Sequence, residues 1–503
     1  MNILRHTLGP RQRRPRHPKR RRGLVPVLVA GALAASPSLV RPVENLPDLG
    51  DHSATILSSL EEERLGREFM RNAAGQLNFI EDLELKQYVN GLGRRLADYS
   101  DTPEQKFAFY LINDNTLNAF AVPGGHISVH TGLIMATKHE AELASVLAHE
   151  IAHVTQHHLA RMLKQSQSQT LPALAAIVAA ILLGGQAGQA ALVATNAGLV
   201  ENQLKYSRTF EREADSIGIH ALARAGYDPR AMPAFFEKLQ QWSRIQESNV
   251  PEFLRTHPLT VSRIAESASR AEQYPPVSNP DETDFFHARA KIRALYMGRD
   301  SSTTQGFAAN LRDGKYEDKQ AERYGYALAL ANEGNYDDAA RRISELVTEY
   351  PDDVRYVTAK AQIEISARRF DDALATYRTA RNRFPKDAAL ELYYANALVT
   401  TGAHDEARQI IKRALARGNG DSTLYALLAR AEGESGNHLA AHQSLAEYHY
   451  LRGNLHEALR QLRLAKRYVG DSYYASASVE ARTQEIEREL RISGEDSALR
   501  DGG

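Results

Sequence analysis

The chain has 503 residues and no cysteine, and 43% of its residues are hydrophobic. This length exceeds what one hydrophobic core usually organises, so two or more domains are expected. The lack of thiols excludes disulfides and thiolate ligands, so any metal must be held by histidines and carboxylates. The formal net charge is zero, but residues 1–22 carry nine basic residues and no acid, which leaves 53 basic against 62 acidic residues in the rest. This mildly acidic remainder argues against a nucleic-acid partner.

The N-terminal segment has the composition of a secretory signal peptide. Its basic start is followed by a 13-residue apolar run ending at Ala35, in which Ala32-Leu33-Ala34 fits a cleavage site. As a helix the run would reach roughly 20 Å, too short to span a bilayer. We therefore predict a signal peptide over 1–35, a linker over 36–54 and Sec export, with Arg21-Arg22 leaving a twin-arginine signal as the alternative. An exported protein without cysteine fits the bacterial periplasm.

Apolar spacing and turn residues divide the following segment into helices and strands. Apolar residues recur every three or four positions in the predicted helices, whereas the predicted strands show apolar runs or alternation. The turn Pro123-Gly124-Gly125 precedes the second strand. The predicted elements are helices over 57–75, 82–99 and 138–166 and strands over 107–113 and 126–130.

A metal-binding motif lies in the third predicted helix, where residues 149–153 read His-Glu-Ile-Ala-His. Four residues advance about 400° along a helix, so the imidazoles of His149 and His153 lie one above the other and can reach the same ion. Glu150 lies beside that face, where a carboxylate can contact a water on the metal. The motif predicts a zinc site in which Glu150 is the general base.

A third ligand is required, and a later helical stretch offers carboxylates. One helical turn separates Glu211 from Asp215, so both face the same way. Glu211 can bind zinc while Asp215 orients a ligand imidazole. Glu213 is the nearest alternative to Glu211 as a ligand. His157 lies a further turn along the predicted ligand face, where we interpret it as a polar helix residue or a support for a ligand, not as part of a second metal site.

Residues 207–215 make the resemblance to one family specific. They read Ser-Arg-Thr-Phe-Glu-Arg-Glu-Ala-Asp, which matches the S-R-x-x-E-x-x-A-D signature of the M48 metallopeptidases. Residues 118–127 resemble the substrate-binding edge strand and turn of that family. The resemblance implies an α+β, mainly helical metallopeptidase domain of the gluzincin type over 55–275, and the alternative third ligand does not fit the signature. It implies one zinc ion per chain, held by His149, His153 and Glu211, with Glu150 as the base.

Two features near this domain each allow more than one interpretation. The uncharged, apolar residues 171–200 form either a buried helical hairpin or an exposed loop that touches a membrane or an apolar partner. His257 lies in the segment Thr256-His257-Pro258. Its imidazole can approach the open position of the zinc and block it, or stabilise the oxyanion during catalysis. Alternatively, it caps the helix that follows.

A 34-residue period organises the C-terminal part of the chain. Small residues recur in two columns, and glycines mark the turns between predicted helices. Small residues at such positions let paired helices approach closely, which is typical of an α-solenoid of tetratricopeptide repeats. We predict this solenoid over 320–485, with an irregular cap after Gly453. The columns are Ala327, Ala361, Ala395 and Ala429, and Ala339, Ala373, Ala407 and Ala441, and the glycines are Gly334, Gly402 and Gly436.

The whole architecture resembles the periplasmic beta-barrel assembly-enhancing proteases of the M48 family. This resemblance implies hydrolysis of misassembled or misfolded outer-membrane proteins and a chaperone-like activity beside it, with clients or the beta-barrel assembly machinery recruited through the concave face of the repeats. The alternative is a chaperone or scaffold for outer-membrane protein assembly with a latent, gated protease site. The sequence also allows a peripheral membrane contact through residues 171–200. The remaining predicted segments are connecting helices over 276–319 and a polar tail over 486–503.

Overall fold

The computed structural model describes residues 58–74, 76–165, 208–245, 251–277, 281–298, 301–417 and 422–493. The predicted signal peptide and linker and the apolar segment 171–200 lie outside the described residues, as does the end of the predicted tail. Among the helices that are described, none is both long and apolar enough to cross a membrane.

The N-terminal half combines a small sheet with helices on both of its faces. The strands are β1 (Ala108–Ile112), β2 (Ala119–Val122) and β3 (His126–His130). The helices described in this half are α1 (Ser59–Ala74), α2 (Leu83–Ala97), α3 (Thr131–Ala136), α4 (Glu140–Thr155), α5 (His158–Gln165), α6 (Arg208–Arg224), α7 (Ala231–Ile245), α8 (Glu252–Thr256) and α9 (Val261–Ala271).

The sheet is mixed, with the strand order β1-β3-β2. β3 pairs in parallel with β1 and antiparallel with β2. The predicted turn lies between β2 and β3, where Gly124 and Gly125 have φ of 77° and 83°, values that glycine adopts without strain. β2 is therefore an edge strand, and its outer side has no strand partner among the described residues.

Helix α4 lies inside the larger hydrophobic core, and all 16 of its residues are buried. It packs against β2, α2, α6 and α7. Gly218 allows the close approach of α6, because a Cβ there would lie 3.1 Å from the backbone nitrogen of His149. A second, smaller core joins α1 and α5 to the other face of the sheet. Burial along its whole length holds α4, and hence its side chains, in one orientation.

The prediction of one continuous helix over 138–166 is wrong. Helix α4 ends at Thr155, and α5 begins at His158. His157 between them has a φ of 50°, which is unusual for a residue other than glycine. The chain therefore changes direction after α4, and the residues beyond the break do not continue its faces.

The C-terminal half consists of helices that pair in sequence order. The helices described there are α10 (Thr283–Tyr296), α11 (Ser301–Asp313), α12 (Lys319–Asn332), α13 (Tyr336–Glu349), α14 (Val354–Ser366), α15 (Phe370–Arg383), α16 (Ala388–Thr400), α17 (His404–Ala416), α18 (Ser422–Glu434), α19 (His438–Leu451), α20 (Leu455–Ala465) and α21 (Tyr473–Ser493).

The two alanine columns lie where neighbouring helices meet. One column lies on the first helices of the pairs and the other on the second helices, and no member is more than 7% exposed. Helix α10 packs against α2 and α3 on one side and against α12 on the other. Helix α10 therefore contacts helices on both sides of the predicted connecting segment, and the structure shows no gap there. The predicted domain boundaries stay predictions.

The second repeat differs from the others at the turn between its helices. Gly334, Gly402 and Gly436 have φ of 87°, 85° and 78°, but the equivalent position in the second repeat is Arg368, with φ of 60°. A residue with a side chain destabilises the fold by about 1–2 kcal/mol in this conformation.

We expect Arg368→Gly to raise the free energy of unfolding by about 1 kcal/mol, because the gain is reduced by the greater entropy of glycine in the unfolded chain. Urea denaturation measures this change. As a control, Arg413→Gly within α17 should lower stability by about 1 kcal/mol, and an equal loss at Arg368 would contradict the argument.

The N-terminal end of α2 contacts the repeats through buried charges. Lys291 Nζ in α10 lies 2.8 Å from Asp82 Oδ2 and 2.6 Å from Glu84 Oε2. Tyr393 in α16 donates a hydrogen bond to Asp82 Oδ2 at 3.1 Å, and Tyr324 in α12 donates one to Glu84 Oε2 at 3.2 Å. Both tyrosines belong to first helices of the repeats. Part of the repeat surface is therefore covered by the chain's own α2.

The C-terminal end of α2 is joined to α4. Arg95 donates a hydrogen bond to the hydroxyl of Tyr227 at 2.8 Å, and this hydroxyl donates one to Glu140, the first residue of α4, at 2.8 Å. Helix α2 thus connects the repeats to the helix that carries the two histidines.

Candidate metal centre

Four buried side chains bring metal-binding atoms together between α4, α6 and the loop after α8. One donor atom from each lies within 4.8 Å of the others. None of the four is more than 3% exposed. The sequence predicted three of them as ligands and the fourth as a residue that approaches the metal, and the structure brings all four to one place. They are His149, His153, Glu211 and His257.

Five distances between these donor atoms, measured to one or the other carboxylate oxygen of Glu211, are close to those between donors around a zinc ion. Donors bonded to zinc at 2.0–2.1 Å are roughly 3.3 Å apart in a tetrahedron. His149 Nε2 lies 2.9 Å from His153 Nε2, 3.6 Å from Glu211 Oε2 and 3.3 Å from His257 Nδ1. Glu211 Oε1 lies 3.5 Å from His153 Nε2 and 3.1 Å from His257 Nδ1. Two histidines and a glutamate are also a ligand set that catalytic zinc sites use, so these residues fit the ion.

Asp215 and Arg263 lie behind the cluster. His149 Nδ1 lies 3.0 Å from Asp215 Oδ1. Arg263 donates a hydrogen bond to each carboxylate oxygen of Asp215 at 2.8 Å, and its Nη1 lies 2.7 Å from Glu211 Oε2. Because Arg263 is buried, its charge is poorly screened by water and stabilises both carboxylates strongly.

The carboxyl groups of the site differ in how readily they bind a proton. Burial alone would raise the pKa of Glu211, but the neighbouring histidines hold it well below its usual range. Burial acts the same way on Asp215, and hydrogen bonds from Arg263 and His149 outweigh it, so the pKa of Asp215 is lowered. At Glu150 burial prevails and raises the pKa. Glu150 is therefore the carboxyl of this site that binds a proton most easily.

Glu150 lies next to the donor cluster without belonging to it. Its side chain is 1% exposed, and its Oε1 lies 3.5 Å from His257 Nε2. The backbone of Ala121 in β2 also approaches the carboxylate. Since successive helical residues are about 100° apart, Glu150 projects to one side of the ligand histidines, toward the edge strand.

His257 directly follows α8, and its ring stacks on Phe253 with the ring centroids 4.6 Å apart. It does not cap the next helix, because Thr260 Oγ1 accepts the hydrogen bond from the backbone of Arg263 at the start of α9. The following carbonyl, that of Pro258, accepts a hydrogen bond from Arg263 Nη1 at 2.9 Å. The loop that carries His257 is thus tied to the same guanidinium as Asp215.

Comparisons with known proteins agree with this geometry. The family model described as Peptidase family M48 matches residues 84–271, and a tetratricopeptide repeat model matches residues 364–431. The Beta-barrel assembly-enhancing protease of Escherichia coli (strain K12) is 33% identical over 471 residues, covering 93% of this chain and 96% of that protein. The chain belongs to peptidase family M48. The predicted enzyme class, a metalloendopeptidase, and the predicted fold class are therefore confirmed.

Two further relatives of this M48 peptidase differ in how much of the chain they match. A Putative beta-barrel assembly-enhancing protease of Vibrio cholerae serotype O1 is 34% identical over 460 residues, covering 90% of this chain and 94% of that protein. The Mitochondrial metalloendopeptidase OMA1 of Schizosaccharomyces pombe is 34% identical over 178 residues, covering 35% of this chain and 50% of that protein.

The residues just after α4 of this M48 peptidase are not arranged as predicted. His157 Nδ1 lies 2.9 Å from Glu62 Oε2 of α1, so the expectation that it shares the ligand face is wrong. His158 Nδ1 instead lies 2.9 Å from His153 Nδ1. Glu213, the alternative third ligand, lies 3.2 Å from His158 Nε2 and is absent from the donor cluster. Burial lowers the pKa of His158 to about 4, so its ring is neutral at neutral pH.

Sequence reasoning missed the roles of His158 and Arg263 in this M48 site. Arg263 shares the buried face of α9 with Ile264 and Ala271, and a charged residue on such a face was the available signal. For His158 a helical wheel is misleading, because the break before α5 places it where a continuous helix would not. Both roles depend on contacts between distant elements.

Proposed function

We propose that this chain is a zinc endopeptidase whose metal is held by His149, His153 and Glu211, with Glu150 as the general base. One observation carries the proposal. A buried cluster of donor atoms from these three residues and His257 lies beside the buried carboxyl group of Glu150. Asp215 is proposed to orient His149, and it has the position and the charge for that role.

The chain's own residues would divide the work of peptide hydrolysis. When bound, the zinc ion would polarise the peptide carbonyl and acidify a water molecule. Glu150 would take a proton from that water and pass it to the leaving nitrogen, which a carboxyl with a raised pKa can do. Asp215 Oδ1, which lies 3.0 Å from His149 Nδ1, would accept a hydrogen bond from the Nδ1–H group and so direct the opposite nitrogen toward the metal.

The peptide substrate would lie along edge strand β2. An extended peptide can pair with a free strand edge through main-chain hydrogen bonds, which makes binding largely independent of sequence. The approach of the Ala121 backbone to Glu150 supports this placement, because a peptide on that strand would pass the base. A protease of unfolded chains requires this kind of broad recognition.

The proposed clients are unfolded or misassembled outer-membrane proteins, and the proposed location is the periplasm. Relatives that match over nearly the whole chain are named beta-barrel assembly-enhancing proteases, and the predicted signal peptide supports export. The repeats would recruit clients or the beta-barrel assembly machinery through surfaces that α2 leaves open. The area around Tyr324 and Tyr393 is not available for this, because α2 covers it. A membrane contact through 171–200 stays a prediction.

Replacing Glu211 with alanine tests the ligand set. Structural zinc sites with four ligands bind the ion with about 10–16 kcal/mol, or roughly 3 kcal/mol per ligand, so removing one of the three proposed ligands should lower zinc affinity about 100-fold and abolish hydrolysis. Zinc content after dialysis against a chelator, and cleavage of a urea-denatured outer-membrane protein, measure the two effects. Glu237→Ala, at an exposed position of α7, is the control and should match the wild type. Undiminished zinc in folded Glu211→Ala would refute the ligand set, and a zinc-loaded wild type without cleavage would refute the function.

A second candidate function is a chaperone whose protease site is latent. The observation that favours it is His257, whose Nδ1 is the fourth donor of the cluster, 3.3 Å from His149 Nε2 and 3.1 Å from Glu211 Oε1. An imidazole in that position would exclude water from the metal. The loop that carries it would then have to withdraw before cleavage.

Replacing His257 with alanine separates the two roles proposed for this residue. If the blocked state holds about nine-tenths of the molecules, removing the imidazole should raise basal peptide hydrolysis about tenfold. If His257 instead stabilises the oxyanion, hydrolysis should fall about 10²–10³-fold. A fluorogenic peptide assay, with His220→Ala on the exposed face of α6 as the control, distinguishes these results. Unchanged hydrolysis would count against both roles.

A further inference from the structure

His158 reaches the metal centre only because the chain breaks after α4. On a continuous helix His158 would be about 500° beyond His153, which is roughly 140° away from the direction of that ligand. The positive φ of His157 redirects the chain, so that His158 begins α5 and lies against His153. Its side chain is fully buried. A strained backbone at this point thus has a definite effect, which is to place a second imidazole behind a ligand imidazole.

The contacts of His158 form a chain that leads away from the metal. His153 faces the other donors through Nε2, and its Nδ1 lies 2.9 Å from His158 Nδ1. His158 Nε2 lies 3.2 Å from Glu213 Oε2, and the same oxygen lies 3.1 Å from Arg161 Nη1. The ring of His158 is stacked on Phe210, with the planes 20° apart and the centroids separated by 4.8 Å. Stacking on Phe210 therefore fixes the ring of His158 in addition to its hydrogen bonds.

The protons in this chain have one consistent arrangement. An imidazole that binds a metal through Nε2 keeps its proton on Nδ1, so His153 must donate a hydrogen bond from that atom. His158 Nδ1 then accepts it, and the ring of His158 carries its own proton on Nε2. That proton is donated to Glu213. Each partner in the chain thus selects the tautomer of the next.

From this geometry we infer that His158 is the positioning residue of ligand His153, and that it selects the tautomer of His153 with Glu213 behind it. This inference rests on the proposed function, in which His153 binds zinc. It gives the two ligand histidines different supports, because His149 is held directly by the carboxylate of Asp215.

A neutral support at His153 has an electrostatic reason. The site already buries the carboxyls of Glu150, Glu211 and Asp215, and the buried guanidinium of Arg263 together with a bound Zn²⁺ would balance these three negative charges. A further carboxylate in contact with His153 would add buried negative charge, which is costly without a partner. His158 passes the hydrogen bond outward to Glu213, which is 31% exposed and paired with Arg161.

Zinc affinity of His158 variants tests this inference. In His158→Phe the ring still fits on Phe210 but accepts no hydrogen bond, so we expect zinc affinity to fall about 10–100-fold. In His158→Asn the side-chain oxygen takes the place of Nδ1 and should restore affinity to within about threefold of the wild type. His220→Phe, at an exposed histidine of α6, is the matched control and should bind zinc like the wild type. Affinity is measured on the full chain by competition with a chromogenic chelator.

Glu213 variants supply a second arm of the test. Glu213→Gln still accepts the hydrogen bond from His158 Nε2 and should change zinc affinity less than about threefold. In Glu213→Leu nothing at position 213 fixes the proton of His158 on Nε2, so zinc affinity should fall about 3–10-fold. The visible spectrum of the Co²⁺-loaded protein should shift in His158→Phe and return in His158→Asn.

Three results would overturn the inference: wild-type affinity in folded His158→Phe, equal loss in the Phe and Asn variants, or equal loss in Glu213→Gln and Glu213→Leu. A merely structural role would make affinity follow thermal stability instead of hydrogen-bonding ability. Failure of the proposed function would look different, because Glu211→Ala would then keep its zinc as well.

Discussion

Glu150→Gln is expected to lower the rate of peptide hydrolysis by about 10²–10⁴-fold while the protein keeps its zinc. The amide has the size of the carboxyl but cannot take a proton from water, and general-base catalysis contributes a factor of that size. Zinc is retained because Glu150 lies outside the donor cluster. Folding should not suffer, since the buried carboxyl with its raised pKa is replaced by a neutral group. Hydrolysis of a fluorogenic peptide and the zinc content of the same sample measure both effects.

The control for this prediction is Glu237→Gln, because Glu237 is an exposed glutamate of α7. It should hydrolyse peptides at the wild-type rate. If Glu150→Gln retains more than about a tenth of the activity, the residue is not the base; if it loses zinc, the residue is a ligand. The variant also separates the two candidate functions, since an assembly-promoting role without proteolysis would survive in it.

Lys291→Met is expected to lower the free energy of unfolding by about 3–5 kcal/mol. The methionine matches the length of the lysine but leaves the carboxylates of Asp82 and Glu84 in the interface without their cation. Breaking a buried ion pair on one side has a cost of this size, because the remaining charge stays desolvated. Urea denaturation followed by circular dichroism measures the loss.

Two variants make this second prediction specific. Lys466→Met removes the exposed pair with Glu480 and should cost less than about 1 kcal/mol. Adding Asp82→Asn and Glu84→Gln to Lys291→Met should recover much of the loss, because no unpaired charge then stays buried. A loss from Lys291→Met no larger than that of Lys466→Met would contradict the role of this ion pair.

The sequence was sufficient for features that depend on local periodicity. His149 and His153 share a helix face because they are four residues apart, and the alanine columns report helix contacts because the repeats have a constant length. Glu211 required more, namely the family signature around it. These predictions succeed because spacing along a helix determines direction in space.

The remainder depends on contacts between elements that sequence spacing does not encode. The residue types at 156–158 do not predict the break after α4, because a positive φ is uncommon even for histidine, although histidine adopts it more often than most other residues. The contact of Asp82 with Lys291 joins residues on α2 and α10, far apart in the chain. For that reason the sequence alone does not predict that α2 covers part of the repeats.

Helix α2 gives the molecule a mechanical connection between its two halves. Its 15 residues form a rod of roughly 22 Å. One end is bound to Lys291 and Tyr393, and the other reaches α4 through Arg95 and Tyr227. Because α2 contacts both α4 and the repeats, a displacement of the repeats that moved α2 would also reach the helix that carries His149 and His153.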